Sequence, residues 1–146
     1  MDIIYYYKNT NKCVKRESII TRLSKAISEI IELPNTIEVC IYPLGKNVYG
    51  GIDKYHVNRI AINYDLDYKS IPQILTHELI HVSQKHTKKL EIKRNGHYYW
   101  NGIPYTDILP EDMTYQEYKN LPWEIDVQNR ETLVLQNALE LLVSTH

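Results

Sequence analysis

The chain has 146 residues, with 17 basic and 18 acidic side chains and a formal charge of −1 at pH 7. A chain of this length forms one domain with a substantial core, so we expect a single domain over residues 1–146. Its near-neutral charge excludes a globally basic nucleic-acid-binding protein. No apolar run approaches the roughly 18 residues of a membrane span, and the first residues lack the basic start of a signal peptide. We therefore expect no membrane association and no secretion.

Two cysteines, Cys13 and Cys40, are too few for a disulfide framework. Without an export signal, we expect both to be reduced thiols in a cytoplasmic protein. The chain has 13 Tyr and no Phe, and it uses Ile, Lys and Asn heavily, which is the bias of an AT-rich coding sequence. Such a bias is typical of small AT-rich genomes, including those of phages. The expected location is then the cytoplasm of a host cell or a virion.

Hydrophobic periodicity and turn residues predict an α+β fold. In chain order, the predicted elements are a strand at 2–7, a helix at 15–33, strands at 36–42, 48–52 and 58–64, a helix from 71 to about 86, a β-hairpin at 97–107, a short helix at 114–120 and a last helix from 122 to about 143. The strand at 58–64 is expected at a sheet edge. The helix at 71–86 is apolar around most of its circumference, which predicts a buried helix.

Capping and turn residues mark several of these boundaries. The residue pairs with capping-box spacing are Ser70 with Gln73 and Thr114 with Glu117. Asn101-Gly102 is the favoured pair for a type I′ turn and places the tip of the hairpin. Pro104 lacks an N–H group and therefore predicts an edge position for the second strand of the hairpin.

A histidine–glutamate motif lies in the middle of the most apolar predicted helix. His77-Glu78-Leu79-Ile80-His81 has the HExxH pattern. Two histidines four residues apart project from the same face of a helix, about 40° apart and one turn along it. That spacing suits two ligands of one tetrahedral Zn²⁺ ion. Glu78 lies about 100° away, where it can reach a water on that ion and act as the general base.

A catalytic zinc site needs a third protein ligand, and the sequence leaves several candidates. Glu124 is preferred, because the first turn of a helix favours a carboxylate and because Pro122 and Trp123 would fix that turn. The alternative third ligands are Asp107, Glu111, Asp112 and Cys40. His86 belongs to the motif helix but is turned away from the motif histidines.

Further residues are expected around the ligands. Gln128 and Glu131 follow Glu124 on nearly the same helical face, so we expect them to hydrogen-bond to ligating side chains, with Asp126 as a weaker candidate. A hydrogen-bond donor is also expected for the carbonyl oxygen that gains charge during acyl transfer. The candidate donors are Tyr98, Tyr99, Tyr105, Tyr115, Tyr118 and His97. Trp100 and Tyr105 are expected to form walls of the cleft.

Three segments together resemble the minimal gluzincin-type metallopeptidases, including small phage-encoded ones. These segments are His77–Gln84, the Trp100-Asn101-Gly102 hairpin and Pro122–Asp126. The resemblance covers residues 58–131, and it reaches the amino-terminal third only through the order of elements. Val127 departs from the small residue, commonly Ala, that this family often has at that position, which implies altered packing there.

The resemblance implies a zincin-like fold, in which a small mixed sheet packs on an N-terminal helix, the HExxH helix and a C-terminal helix. It implies that His77, His81 and Glu124 bind one Zn²⁺ ion per chain. It also implies that Glu78 is catalytic.

The expected function is therefore zinc-dependent hydrolysis of a peptide or protein substrate, with the strand at 58–64 able to bind an extended peptide by strand addition. One alternative is a virion or effector component that binds a protein partner on a zincin scaffold with little turnover. Another is a SprT-like protease that acts near nucleic acid through a basic segment. That segment comprises Lys85, Lys88, Lys89, Lys93 and Arg94. Its simpler interpretation is a solvated loop and strand face.

Overall fold

The computed structural model describes residues 1–44, 50–52, 56–105 and 112–144. Within these ranges the chain forms four helices and two small sheets, which confirms the α+β class. The strands are β1 (Asp2–Tyr7), β2 (Thr36–Tyr42), β3 (Gly50–Ile52), β4 (Arg59–Asn63), β5 (Leu90–Ile92), β6 (Tyr98–Trp100) and β7 (Ile103–Tyr105). The helices are α1 (Val14–Ser28), α2 (Ile71–His86), α3 (Tyr115–Lys119) and α4 (Pro122–Ser144). None of these helices has the length and apolar character that crossing a membrane requires.

The larger sheet is mixed, with the strand order β1-β2-β4-β3. Strands β1, β2 and β4 run parallel, and β3 pairs antiparallel with β4. The prediction that residues 58–64 form an edge strand is therefore wrong, because β3 covers the outer side of β4. Strand β3 has only three residues, two of them glycines, so its sequence carries little strand signal. Strand β3 is therefore defined by its antiparallel pairing with β4 and not by a local sequence pattern.

Helices α1, α2 and α4 pack against one another, and α2 contacts β3 and β4 of the mixed sheet. Strand β2 alternates along its length, and Ile37, Val39 and Ile41 are fully buried in the core. Helix α2 lies between the sheet and α4, which explains why nearly all of its surface is buried. Polar side chains on such a helix are costly to bury unless they have partners.

Two helix ends differ from the sequence prediction. Helix α1 ends at Ser28 instead of residue 33, because the chain tightens into a turn in which the Ile30 N–H bonds three residues back at 2.9 Å. Ile30 and Ile31 still pack on the core, which is why the apolar pattern continues past the helix. At the start of α2, Ser70 has helical backbone angles and its side chain caps nothing, so the predicted capping box is absent. The Asp67 carboxylate accepts the Ser70 N–H instead, at 2.9 Å.

The smaller sheet is antiparallel, with the order β5-β6-β7. The predicted hairpin is confirmed: Asn101 and Gly102 have φ values of 50° and 81°, as a type I′ turn requires. Pro104 lies in β7, at the sheet edge as predicted. Strand β5 was not predicted. Leu90 in β5 packs in a small second core with Trp123, which ties this sheet to the start of α4.

Candidate metal centre

Helix α2 and the first turn of α4 bring together three side chains that could bind a metal ion. His77, His81 and Glu124 each offer one ligand atom, and these atoms all lie within 4.8 Å of one another. His81 Nε2 lies 3.0 Å from Glu124 Oε1, and His77 Nε2 lies 3.5 Å from Glu124 Oε2. The two imidazole rings meet edge to face, with centroids 5.0 Å apart. This cluster could hold a metal ion.

Each candidate histidine ligand has a second partner on its other ring nitrogen. His77 Nδ1 lies 2.9 Å from Glu131 Oε2, and His81 Nδ1 lies 2.8 Å from Gln84 Oε1. The Gln84 amide nitrogen donates in turn to Asp126 Oδ2 at 2.8 Å and to the main chain at the start of α4 at 2.9 Å. Both Nδ1 atoms face acceptors, so the hydrogen-bond network assigns a proton to each Nδ1. The Nε2 atom of each ring then points towards Glu124.

The donor atoms fit a divalent metal ion. Two imidazole nitrogens and one carboxylate form a ligand set that is used in catalytic zinc sites. His81 Nε2 is buried and, within the described part of the chain, has no hydrogen-bond partner, although Glu124 Oε1 is 3.0 Å away. The direction of that contact is not that of a hydrogen bond. An unsatisfied buried nitrogen is costly, and a metal ion at this place would satisfy it.

Burial and charge act in opposite directions on the ligand side chains. Burial lowers the pKa of His77, but the carboxylates of Glu124, Glu78 and Glu131 outweigh burial and raise that pKa to about 9. Burial would raise the pKa of Glu124, but its contacts with His77, His81 and Tyr118 hold this pKa well below its usual range. Without a metal ion, protons on the histidines supply the positive charge that the ionised Glu124 carboxylate faces. A bound cation would take the place of those protons on the Nε2 atoms.

Glu78 lies on the same helix beside a cavity of about 230 Å³. The side chain is only 7% exposed, and burial raises its pKa. The walls of the cavity include Gly50, Gly51, His81, Tyr98, Tyr118 and Trp123. A buried carboxylate outside the ligand cluster thus faces the same space as the cluster, which is the arrangement that a general base requires.

Gly50 allows strand β3 to approach the motif helix closely. A Cβ atom on residue 50 would lie 2.8 Å from the Ala61 carbonyl oxygen, 3.0 Å from Ile74 Cγ2 and 3.4 Å from Glu78 Cγ, whereas a Cβ on Gly51 would meet nothing within 4 Å. We expect Gly50→Ala to lower the free energy of unfolding by about 1–3 kcal/mol. Its neighbour Gly51→Ala is expected to change it by less than about 0.5 kcal/mol. Chemical denaturation measures the free energy of unfolding of both variants. Equal values for Gly50→Ala and Gly51→Ala would contradict the close approach of β3 to the motif helix.

The structure separates the residues that were predicted to support the ligands. Glu131 contacts a candidate ligand, as expected. Gln128 does not reach the cluster, because its amide nitrogen donates to the Lys119 main-chain oxygen at 3.0 Å, so it holds the end of α3. Asp126 does not contact a candidate ligand directly; it accepts a hydrogen bond from Gln84, which contacts His81.

The expected walls of the cleft also change. Tyr105 packs edge-on against Trp123, with ring centroids 6.1 Å apart, and Trp100 packs against the small second core. Among the described residues, the aromatic walls are instead Tyr98, Tyr118 and Trp123. Trp100 and Tyr105 both pack against the second core around Leu90 and Trp123.

Tyr118 lies beside the Glu124 carboxylate. It follows the predicted capping box of Thr114 and Glu117, which is confirmed and starts the short helix α3. Burial raises the pKa of Tyr118, and the negative charge of Glu124 raises it further. The hydroxyl therefore stays protonated near neutral pH and remains a hydrogen-bond donor within the cavity.

The remaining candidates lie elsewhere. The alternative ligands outside the described residues are Asp107 and Glu111. Cys40 lies in β2 and Asp112 lies before α3, and neither belongs to the described metal-binding group. Gln84 was missed by the sequence analysis. Its position three residues after His81, on the adjacent part of the same helix face, is the signal that could have found it.

Comparisons of the chain with models of protein families, with curated proteins and with solved structures found no match. The function must therefore be inferred from the geometry of the three ligands, their outer partners and the neighbouring carboxylate.

Proposed function

We propose that this protein is a zinc-dependent peptidase with a zincin-like fold, in which His77, His81 and Glu124 hold the metal ion. The observation that carries the proposal is the direction of the two imidazoles. Both Nδ1 atoms face outer acceptors, so both Nε2 atoms face the Glu124 carboxylate. Such outer acceptors usually accompany metal-ligating histidines. The order of elements supports the fold assignment, since an HExxH helix on a mixed sheet is followed by a C-terminal helix that supplies the carboxylate.

In the proposed reaction, a bound zinc ion would polarise the scissile carbonyl and lower the pKa of a water molecule. Glu78 accepts a proton from this water and passes it to the leaving amine. The carboxylate is suited to this task because it faces the cavity and is not itself one of the three ligands. Tyr118 lines the same cavity and is the proposed donor to the carbonyl oxygen as that oxygen gains negative charge.

Strand β3 takes the substrate-binding role that was expected of residues 58–64. It lies at the edge of the described sheet, and Gly50 and Gly51 border the cavity. An extended peptide could pair with this edge by strand addition, which would place its backbone next to Glu78. The absence of side chains on both glycines leaves room for that approach.

Cleavage of a degenerate peptide mixture by the full chain tests the proposal. Zinc-loaded protein is expected to produce defined fragments that mass spectrometry detects. A chelator should stop the cleavage, and added Zn²⁺ should restore it. Because histidine and carboxylate ligands also bind Mn²⁺, Fe²⁺ and Co²⁺, reconstitution with each ion identifies the active metal. Cleavage that persists in the presence of chelator would contradict a metallopeptidase.

A zincin scaffold that only binds a protein partner is the alternative function. It would be supported by a chain that binds one metal ion but cleaves no peptide in the mixture. Glu78 argues against it, since a buried carboxylate outside the ligand set is costly and serves no purpose in a scaffold without turnover. A protease acting near nucleic acid would instead show DNA binding that weakens steeply with salt.

A further inference from the structure

A second cavity, of about 500 Å³, lies beyond the carboxyl end of α2. Its lining includes four cationic side chains and one carboxylate: Lys85, Lys88, Lys93, Arg94 and Glu91. We call it the basic cavity. Four of the five residues of the basic segment therefore line a concave space.

The basic cavity adjoins the candidate metal centre. Leu90 borders both cavities. Lys85 belongs to the last turn of α2, four residues after the ligand candidate His81. Lys85 is 7% exposed, and its ammonium group donates to the His56 main-chain oxygen at 3.0 Å. This buried positive charge belongs to the lining of the cavity, and the described part of that lining contains one acidic side chain, Glu91.

Lys88 occupies a strained backbone position at the rim of the basic cavity. Its φ is 62°, in the left-handed region that follows the end of many helices and that glycine adopts most easily. The turn is a regular helix ending, since the Lys88 N–H bonds to the Lys85 oxygen at 3.2 Å. A lysine at this position costs stability relative to glycine and adds a positive charge to the cavity.

Lys93 and Arg94 are the remaining two cations in the described lining of the basic cavity. Lys93 lies over the Tyr99 ring, with its ammonium nitrogen 4.3 Å from the ring centroid. Within the described residues, Lys88, Lys93 and Arg94 take part in none of the ion pairs that the structure contains. Charges gathered in a concave space raise the local concentration of anions. The cavity is therefore complementary to a carboxylate-bearing ligand.

We propose that the basic cavity binds acidic side chains of the peptide substrate, so that the enzyme prefers peptides with Asp or Glu near the scissile bond. This inference rests on the proposed peptidase function, because it makes the basic cavity a subsite next to the metal centre. Peptide carboxylates are favoured over nucleic acid because of the extent of the site. A single cavity of about 500 Å³ encloses a ligand no larger than a short peptide segment, whereas nucleic-acid binding needs a track of phosphate contacts.

Paired peptide mixtures test the inference, one carrying glutamate and its match carrying glutamine at the same positions. At low ionic strength, the zinc-loaded chain is expected to bind the fluorescently labelled glutamate mixture roughly tenfold more tightly. Fluorescence anisotropy measures the binding, and the ratio of kcat/KM values measures the same preference in cleavage. The preference should fall towards unity in Lys93→Gln/Arg94→Gln. The control is the double variant Lys8→Gln/Lys12→Gln, which removes the same charge near β1, at the other edge of the mixed sheet from β3. This variant should keep the preference for glutamate.

Lys88→Gly separates recognition from stability. Because glycine suits the left-handed conformation, this variant is expected to unfold at a higher denaturant concentration than the natural chain. At the same time it should lose part of the preference for glutamate. A variant that gains stability and keeps the full preference would exclude Lys88 from recognition, and one that loses stability would contradict the strain argument.

The outcomes distinguish this inference from the proposed function. Equal binding and cleavage of both peptide mixtures would overturn the acidic subsite and leave the peptidase intact. Glutamate-dependent binding without any cleavage would support the basic cavity as an acidic-peptide site and overturn the peptidase. A DNA oligonucleotide that displaces the glutamate peptide at lower concentration than the peptide itself would overturn the subsite in favour of nucleic acid.

Discussion

Replacing Glu78 with Gln is expected to lower peptide hydrolysis by about 10²–10⁴-fold, the contribution of a positioned general base. Glutamine has the same shape but cannot accept the proton of the attacking water. Metal content should stay at one ion per chain, because the ligand atoms belong to other side chains. Stability should stay equal or rise, since burial disfavours the charged form of Glu78 and glutamine removes that charge. Hydrolysis rates, metal analysis and denaturation of one preparation measure all three quantities.

The matched control is Glu140→Gln, which makes the same chemical change at an exposed position of α4. It is expected to leave the rate unchanged. Residual activity in Glu78→Gln that equals the natural rate would exclude Glu78 as the base. Loss of the metal together with the rate would mean that Glu78 takes part in binding the ion, which the ligand geometry does not predict.

Replacing Glu124 with Gln is expected to remove the metal ion. The side chain is 3% exposed and faces both histidines, and a neutral amide is a much weaker ligand than a carboxylate for this type of site. In the natural chain, zinc at 100 times its dissociation constant should raise the free energy of unfolding by about 2.7 kcal/mol, because it binds only the folded state. In Glu124→Gln this increase should disappear at the same zinc concentration. Metal analysis and thermal denaturation with and without zinc measure the two effects.

Two aspartate variants control for the alternative third ligands. Asp107→Ala and Asp112→Ala are both expected to keep the metal ion and the zinc-dependent stabilisation. Loss of the ion only in Asp107→Ala would make Asp107 the third ligand in place of Glu124. If the natural chain took up no metal even in excess zinc, the metallopeptidase itself would be contradicted.

Most of the local structure could be predicted from the sequence, because each signal depends on neighbouring residues. The Asn101-Gly102 turn and the capping box at Thr114 are set by backbone preferences of a few residues. The spacing of His77 and His81 needs only the geometry of one helix to place both on one face. The strand predicted at 48–52 is present as β3 at Gly50–Ile52. Strand β5 was missed, since its three residues carry no long pattern.

The tertiary structure decided which residues meet across the chain. Glu131 meets His77 and Gln84 meets His81, whereas Gln128, on nearly the same helix face as Glu131, binds the end of α3. The spacing of residues along a helix fixes the direction in which each side chain projects, but it does not fix which other element packs on that side. The edge of the mixed sheet was likewise decided by the pairing of β3 with β4.

By itself, the sequence determined the helix that carries the HExxH motif and the type I′ hairpin, because helical periodicity and turn preferences act over a few residues. It also favoured Glu124 as the candidate third ligand. Only the tertiary structure placed Glu124 beside both histidines, gave each histidine its outer partner and brought most of the basic segment around a cavity that shares Leu90 with the cavity of the candidate metal centre. These features depend on contacts between elements that lie far apart along the chain. Such contacts are set by how the elements pack in the core, which no short stretch of sequence encodes.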